Sequence, residues 1–426
     1  MKRTDSVVLV GGVGTGRIFQ WAHLRIYPHL LKKARLVSFY DVDPKRAEEA
    51  REKYAKLLEA HAAEHPESAE AARANAAELT CHNSLEELLK KVDVVDVCTH
   101  ARDRMAIAIA ACSRGVHSML EKPMARTYIE ADRAVRAFAK KPKVFCQLND
   151  DNVFDPRYQT LRDLVSGGAV GPVQSMWLVR GSRLDSTSVL KSQASALDNG
   201  GGCLMDYGSH GLAGSWYVLG TQLKPVKVEA AAIDVLFPHR VLEGEPVVMK
   251  VDDNARIKVL FEEPATGSWV TLFLEASWTG AHIGPKQLRT AEGGGGLLRI
   301  EGDKGVIDGS AKAQITVTRW DGGETVVPVR EYPGETISFL QEIEHFIDCV
   351  RAGTPPEFDV TFGAEVIAIC EAAYLSAIRK RAVTVEEFKE FAREYVRKFG
   401  DGGEAEEALL ADLLKPYATL ARRDRT

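Results

Sequence analysis

Within its first 150 residues the chain alternates short apolar, β-branched runs with helical stretches, and few folds can bury such a pattern. The runs are residues 6–10, 36–40, 92–98, 116–120 and 144–147. The third reads Val-Asp-Val-Val-Asp-Val-Cys, closed by Thr99, and predicts a buried parallel strand. Between the runs, residues 44–79 are rich in Ala, Glu, Lys and Arg and predict helices, with Pro66 opening a second one. Ser84 and Glu87 form a capping box ahead of Leu88 and Leu89. Asp103 opens a helix that Gly115 ends, and Thr127 with Glu130 caps another. Strand and helix in strict succession predict a doubly wound parallel sheet over residues 1–148.

The first run ends in Gly11-Gly12-Val13-Gly14-Thr15-Gly16, and a helical pattern follows with Ile18, Ala22 and Ile26 spaced four apart. Strand, glycine turn and helix together form the setting in which a dinucleotide's pyrophosphate is held by helix-terminal N–H groups. Counting from Gly12 puts Gly14 where the backbone must come closest to phosphate and Arg17 where a third glycine is usual. Counting from Gly11 puts Val13 at the close-approach position, so the first register is preferred. The second strand ends at Asp41, whose carboxylate can accept hydrogen bonds from ribose hydroxyls and repels a 2′-phosphate. NAD is therefore favoured over NADP. The distance from Gly12 to Asp41 exceeds the usual spacing of about 20 residues, and the excess lies at Tyr27-Pro28-His29.

A second glycine turn, Gly200-Gly201-Gly202, precedes Cys203-Leu204-Met205-Asp206-Tyr207-Gly208-Ser209-His210. Three glycines allow a tight turn and close approach of a ligand to the backbone. The segment from there to Leu219 predicts a helix stopped by Gly220. Asp206 and His210 then share a helix face, with Gly208 leaving that face open. An imidazole and a carboxylate so placed suit proton transfer. The spacing equally fits a helix-terminal carboxylate and a surface histidine that happen to share a face.

At 426 residues the chain exceeds one hydrophobic core, so two domains are expected. A formal net charge of -5 argues against a nucleic-acid surface. No apolar run suggests a membrane span, and residues 1–5 lead into a strand without a signal-peptide core. Seven scattered cysteines without a C-x-x-C pair suit a reducing cytoplasm and no zinc site. His61 and His65 lie four apart, but without a third ligand in sequence they read as a solvated helix face. The Gly293–Gly296 run reads as a flexible loop, and the basic tail from Arg422 as a solvated end.

With Glu121-Lys122-Pro123 directly after the run at 116–120, the chain resembles the Gfo/Idh/MocA family of NAD(P)-dependent oxidoreductases over about residues 5–385. The glycine turn, the E-K-P triplet and GGG-x-x-x-D-x-G-x-H occur in family order. Gly171-Pro172-Val173, Glu301-Gly302-Asp303-Lys304-Gly305 and Glu371-Ala372-Ala373 are further echoes. The resemblance implies a Rossmann-like first domain and an α+β second domain, residues 149–385, with a large, mainly antiparallel open sheet. Residues 386–426 lie beyond the family core as a helical C-terminal extension. By position, Lys122, Asp206 and His210 would form the catalytic group. Cofactor contacts would come from Gly12, Gly14, Thr15, Gly16, Asp41, Thr99, His100, Arg104, Glu121 and Lys122.

Two departures stand out. His100 occupies a position where the family commonly has proline, and Arg104 one where histidine is frequent. Where an N-x-R setting is usual, the chain has Asn149-Asp150-Asp151-Asn152, which points to an altered substrate class. From residue 173 onward the hydrophobic period becomes two, as in an antiparallel sheet with one face on helices. Trp177, Trp269 and Phe273 on that sheet are either core or subunit-interface anchors, since the family's sheet commonly joins subunits into dimers or tetramers. Substrate contacts are expected from Asn149, Arg180, Arg183 and Tyr207, with Trp278 and His282 as further loop candidates. The resemblance implies hydride transfer between NAD and a secondary alcohol of a sugar, cyclitol or glycoside, with either Lys122 or His210 taking the proton. A glycosidase-like use of bound NAD, or a non-catalytic sugar- or nucleotide-sensing role, would place the same residues on the same fold.

Overall fold

In the computed structural model the predicted alternation becomes a six-stranded parallel sheet. Residues 7–181, 196–242, 244–279, 297–330 and 337–423 are described; Arg183, His282, Gly293–Gly296 and the end of the basic tail lie outside them. The strands are β1 (Val8–Val13), β2 (Ala34–Tyr40), β3 (Thr80–Cys81), β4 (Val94–Val97), β5 (His117–Glu121) and β6 (Cys146–Asn149). Their order, β3-β2-β1-β4-β5-β6, reverses direction between β1 and β4, the point at which open α/β sheets bind ligands. The first helix is shorter than its periodicity suggests. It spans only Arg17–Trp21 and gives way to tight turns at His23–Arg25 and Tyr27–Leu30, which absorb the extra residues before Asp41.

The chain divides into two compact units, and the boundary is crossed more than once. Residues 1–124, 131–151 and 333–364 form the first unit; residues 125–130, 152–332 and 365–426 form the second. The helix Ile337–Ala352, expected in the second domain, supplies Phe339, Ile343, Phe346 and Ile347 to the core that holds Val10, Leu36, Phe39 and Tyr54. Lys33 ties that helix to the first unit through Glu344 at 2.8 Å and Asp348 at 2.7 Å. His29, from the turn before β2, sits with its ring centroid 5.4 Å from that of His61, so a third histidine does approach the His61–His65 pair.

The second unit is built on a nine-stranded sheet of β7 (Val173–Gly181), β8 (Lys224–Asp234), β11 (Asn254–Glu262), β12 (Trp269–Ser277), β13 (Leu298–Gly302), β14 (Gly305–Asp308), β15 (Gln314–Arg319), β16 (Glu324–Pro328) and β17 (Val383–Thr384). Their order is β16-β15-β14-β13-β7-β12-β11-β8-β17. A separate hairpin pairs β9 (His239–Leu242) with β10 (Glu245–Val248). Only β7 and β12 run parallel; every other neighbouring pair is antiparallel. Met176, Leu178, Leu272 and Leu274 turn inward and are buried. The helix Ser209–Leu219 packs on that side, where a Cβ on Gly211 would stand 3.0 Å from Leu274 and 3.1 Å from Leu178. The opposite face carries Trp177 stacked on Phe273 with ring centroids 3.8 Å apart, and Trp269 is half exposed there. These aromatics are therefore outside the core.

The two C-terminal helices, Val385–Phe399 and Gly403–Arg423, bury Phe388, Leu409, Leu413 and Tyr417 in the second unit. Glu406 reaches Arg126 at 3.1 Å, and Arg126 Nε donates to Glu130 at 2.7 Å, so the extension closes a buried ionic triad. The expectation of no span-length apolar segment needs correction. The helix Val360–Arg379 is long and apolar enough to cross a membrane, although most of it is buried inside the protein.

Candidate functional site

In the first unit, the turn after β1 has the shape a bound phosphate needs. Gly14 adopts φ +78, a conformation that L side chains rarely take. A Cβ there would lie 2.7 Å from the backbone nitrogen of Thr99, so the site tolerates only glycine. Gly12 instead lies beneath the ring of Phe19, which lets the first helix pack closely. Gly16 caps that helix and faces open space. Asp41, at the tip of β2, accepts the backbone N–H of Thr15 at 2.8 Å through Oδ2 and that of Asp43 at 3.0 Å through Oδ1. The carboxylate is thus a brace between the glycine turn and β2; Oδ2 also accepts from the Thr15 hydroxyl at 3.4 Å, and Oδ1 keeps a lone pair for a ribose hydroxyl. A positive-φ glycine at the pyrophosphate position and an acid at the end of β2 fit a dinucleotide.

On the other side of β1, Thr99 stands two residues beyond β4 and His100 caps the next helix, exposed. Arg104 is committed to structure. Its Nε and Nη2 donate to the Thr99 carbonyl at 3.0 and 2.7 Å, and Nη1 donates to the carbonyl of Pro123. Burial pulls its pKa below the usual arginine value. It therefore ties the E-K-P turn to the end of β4. Glu121 turns inward, accepting the Lys122 N–H at 3.0 Å on Oε2. Lys122 itself is half-buried. Asn149 ends β6, wholly buried, its Oδ1 taking a hydrogen bond from Gln147 at 3.1 Å.

Beneath Glu121 lies a polar cluster that sequence reasoning missed. His23 is fully buried; its Nδ1 contacts both oxygens of Asp96 at 3.0 and 2.9 Å, and its Nε2 faces Glu121 Oε1 at 3.1 Å. Tyr27 donates its hydroxyl to Asp96 Oδ2 at 2.6 Å. Burial works against charge on His23, but Asp96 overrides it and holds the imidazole well above its ordinary pKa. Glu342, from the helix Ile337–Ala352, completes the group, and burial drives its carboxyl well above the usual range.

In the second unit, the glycine turn serves the protein rather than a ligand. Gly200 has φ +77, and a side chain on it would strike the Arg126 carbonyl. Side chains on Gly201 and Gly202 would strike the Tyr374 hydroxyl and the Asp252 carbonyl. The expected open approach for a ligand is filled by packing. Asp252, wholly buried, holds this turn: Oδ1 accepts Gly202 N at 3.0 Å and Tyr374 Oη at 2.5 Å, and Oδ2 accepts Leu204 N at 2.9 Å.

The helix that follows opens differently from the expectation. Residues Leu204–Gly208 form a wide i→i+5 turn, and regular α-helix runs only over Ser209–Leu219, with Gly220 at φ +115 beyond its end. Such turns recur at functional sites. Asp206 and His210 are both buried, at 8% and 5% exposure, which removes the surface-histidine reading. Trp278, expected as a substrate contact, is fully buried and donates its indole N–H to Asp206 Oδ2 at 3.0 Å. Asn152 donates to the His210 carbonyl at 3.0 Å and accepts from Arg180 Nη1 at 2.9 Å. The Arg180 guanidinium also lies 5.8 Å from the centroid of the Tyr207 ring. The structure therefore gathers Arg180, Tyr207, Asp206 and His210 within the second unit, joined by Asn152 and Trp278. Lys122 belongs to the first unit.

Residues 8–149 match the model of an oxidoreductase family with an NAD-binding Rossmann fold, and residues 194–385 match that family's C-terminal alpha/beta domain. The chain is 23% identical to a myo-inositol 2-dehydrogenase of Thermotoga maritima over 301 residues, covering 70% of this chain and 80% of the relative. It is 25% identical to a D-apiose dehydrogenase of Paraburkholderia graminis over 305 residues, covering 70% and 74%. Among solved structures, levoglucosan dehydrogenase in complex with NADH and levoglucosan superposes with a TM-score of 0.70 at 18% identity, covering 90% of this chain and 100% of that one.

Proposed function

The chain belongs to the Gfo/Idh/MocA oxidoreductase family, and on that premise we propose that it transfers a hydride between NAD and a secondary alcohol of a sugar or cyclitol. The observation that carries the reading is the burial of Asp206, on the turn held by Asp252, together with His210, in the first turn of the helix that follows. A carboxylate and an imidazole withdrawn from bulk water are suited to moving one proton between defined atoms. NAD, when bound, would supply the hydride acceptor. The turn at Gly14 and the helix capped by Gly16 would hold its pyrophosphate, and Asp41 would accept from the ribose hydroxyls and disfavour a 2′-phosphate.

As hydride leaves the carbon, His210 would take the hydroxyl proton, and the Lys122 ammonium would donate a hydrogen bond to the same oxygen while it carries alkoxide character. Trp278 fixes the direction of the Asp206 carboxylate, which orients a neighbouring substrate hydroxyl or His210. Arg180 and Tyr207 offer donors and a ring face to a polyol. The relatives named for inositol, apiose and levoglucosan support the substrate class. The half-exposed aromatic face of Trp177, Phe273 and Trp269 suits self-association as a dimer or tetramer.

The test is a screen of cyclitols, pentoses, hexoses and anhydrosugars with NAD⁺ and NADP⁺, followed by NADH or NADPH absorbance. Net NADH formation with one polyol class is expected. Product formation from a glycoside without net NADH would replace the reading with the elimination chemistry, and preference for NADP⁺ would overturn the role given to Asp41.

A further inference from the structure

We propose that the cluster beneath the E-K-P turn is a binding site for a single divalent transition-metal ion, held by His23 Nε2, Glu121 and Glu342. One ligand atom from each of these residues lies within 4.8 Å of the other two, and all three side chains are buried. They come from three separate elements: the turn His23–Arg25, the end of β5 and the helix Ile337–Ala352.

Two independent features point to a cation rather than to a cluster closed on itself. The first is Glu342. Both of its carboxylate oxygens are buried without a hydrogen-bond partner among the described residues, although the residue is completely inaccessible to solvent. A buried carboxyl in that condition is costly whether charged or neutral, because protonation replaces unmet acceptors with one unmet donor and one unmet acceptor. The second is the orientation of His23. Asp96 holds Nδ1 and is itself steadied by Tyr27, so Nε2 is directed toward Glu121 and the ligand cluster it forms with Glu342. A carboxylate behind the far nitrogen is the usual support of a metal-bound histidine.

The donor chemistry selects the ion. One imidazole and two carboxylates suit Zn²⁺ or Co²⁺ better than the all-oxygen preference of Ca²⁺ or Mg²⁺. Ligands about 2.1 Å from a tetrahedral ion stand about 3.4 Å from one another. The His23–Glu121 separation of 3.1 Å lies close to that edge, and Glu342 stands within 4.8 Å of both. In place, the ion would fasten the helix Ile337–Ala352 to the end of β5, next to Lys122.

The full-length protein, stripped with EDTA and reloaded with Zn²⁺ alone, would be desalted and its metal counted by mass spectrometry. The surface trio of His29, His61 and His65 is removed as a competitor by making the measurement in a His61→Gln/His65→Gln background. One Zn²⁺ per chain is expected, falling at least about tenfold in Glu342→Gln, a neutral isostere that keeps the core filled. Zn²⁺ at about 100 times its Kd should raise Tm by about 5 °C in the parent and leave Glu342→Gln unmoved. Loading with Co²⁺ should give visible d–d bands without a thiolate charge-transfer band. Absence of retained Zn²⁺, equal retention by Glu342→Gln, or a thiolate band placing the ion on Cys98 would each overturn the assignment.

Discussion

Replacing Asp252 should separate the fold of the second glycine turn from its chemistry. In Asp252→Ala, the Leu204 N–H and the Tyr374 hydroxyl lose their acceptors, while Gly202 N–H keeps a 3.3 Å contact with Tyr374 Oη. Two stranded buried donors at about 1–3 kcal/mol each predict a loss of about 2–6 kcal/mol. Asp252→Asn keeps one acceptor oxygen for Leu204. Its amide can face Tyr374, whose hydroxyl rotates to accept, so the loss falls to about 1–2 kcal/mol. The asparagine variant should remain folded but hold the Leu204–Gly208 turn less firmly, lowering kcat with little change in NAD affinity. Equilibrium urea unfolding, read from midpoints at constant m, measures the first quantity; steady-state kinetics with a fluorescence titration of NADH measure the second. If Asp252→Ala unfolds within about 0.5 kcal/mol of the parent, or if the two variants are equally destabilised, Asp252 does not hold the turn through these bonds.

Three further outcomes are expected. Gly14→Val forces a β-branched residue to φ +78 against the backbone of Thr99, and should abolish NADH binding while far-ultraviolet circular dichroism is retained; unchanged affinity would reject the chosen glycine register. Lys122→Ala and His210→Ala should each lower turnover by about 10²–10⁴-fold and spare NADH binding, with losses that are less than additive in the double variant; near-normal turnover in His210→Ala would remove it from the mechanism. Burial, opposed by Arg126 and reinforced by Glu406, pushes the Glu130 carboxyl up to about 7. Its folded-state pKa is raised, so stability present below the unfolded value is lost as pH rises from about 4.5 to about 7, by at most about 3 kcal/mol. Thermal midpoints at pH 5 and pH 7.5 should therefore differ less in Glu130→Gln than in the parent, and identical differences would refute the shift.

The first unit's sheet was legible because its signals are local. Apolar strands, the capping boxes at Ser84 and Thr127, and the break at Tyr27-Pro28-His29 all act within a few residues, and the structure shows the Ser84 and Thr127 caps with N–H···O distances of 3.2 Å each. The glycine at the close-approach position and the acid at the tip of β2 were legible for the same reason, since backbone conformation and strand ends are set by near neighbours. Single residues breaking an apolar pattern also left traces. Asp96 interrupts a buried strand, and Glu342 sits among Phe339, Ile343 and Phe346 on the apolar face of its helix. Neither position names its partner.

Tertiary structure alone decided those partners. Trp278 reaches Asp206 across 72 positions of sequence, Gly202 reaches Asp252 across 50, and His23 reaches Glu121 across 98. It also decided that Arg104 serves two backbone carbonyls, that the three glycines at Gly200 pack against Arg126, Tyr374 and Asp252, and that the helix Ile337–Ala352 builds the first core. The physical reason is common to all of these. Secondary structure arises from hydrogen bonds and sterics between residues close in the chain, so it leaves a period that can be read. A buried polar group must instead find whatever donor or acceptor the packed chain brings to it, and that choice leaves no periodic mark on the sequence.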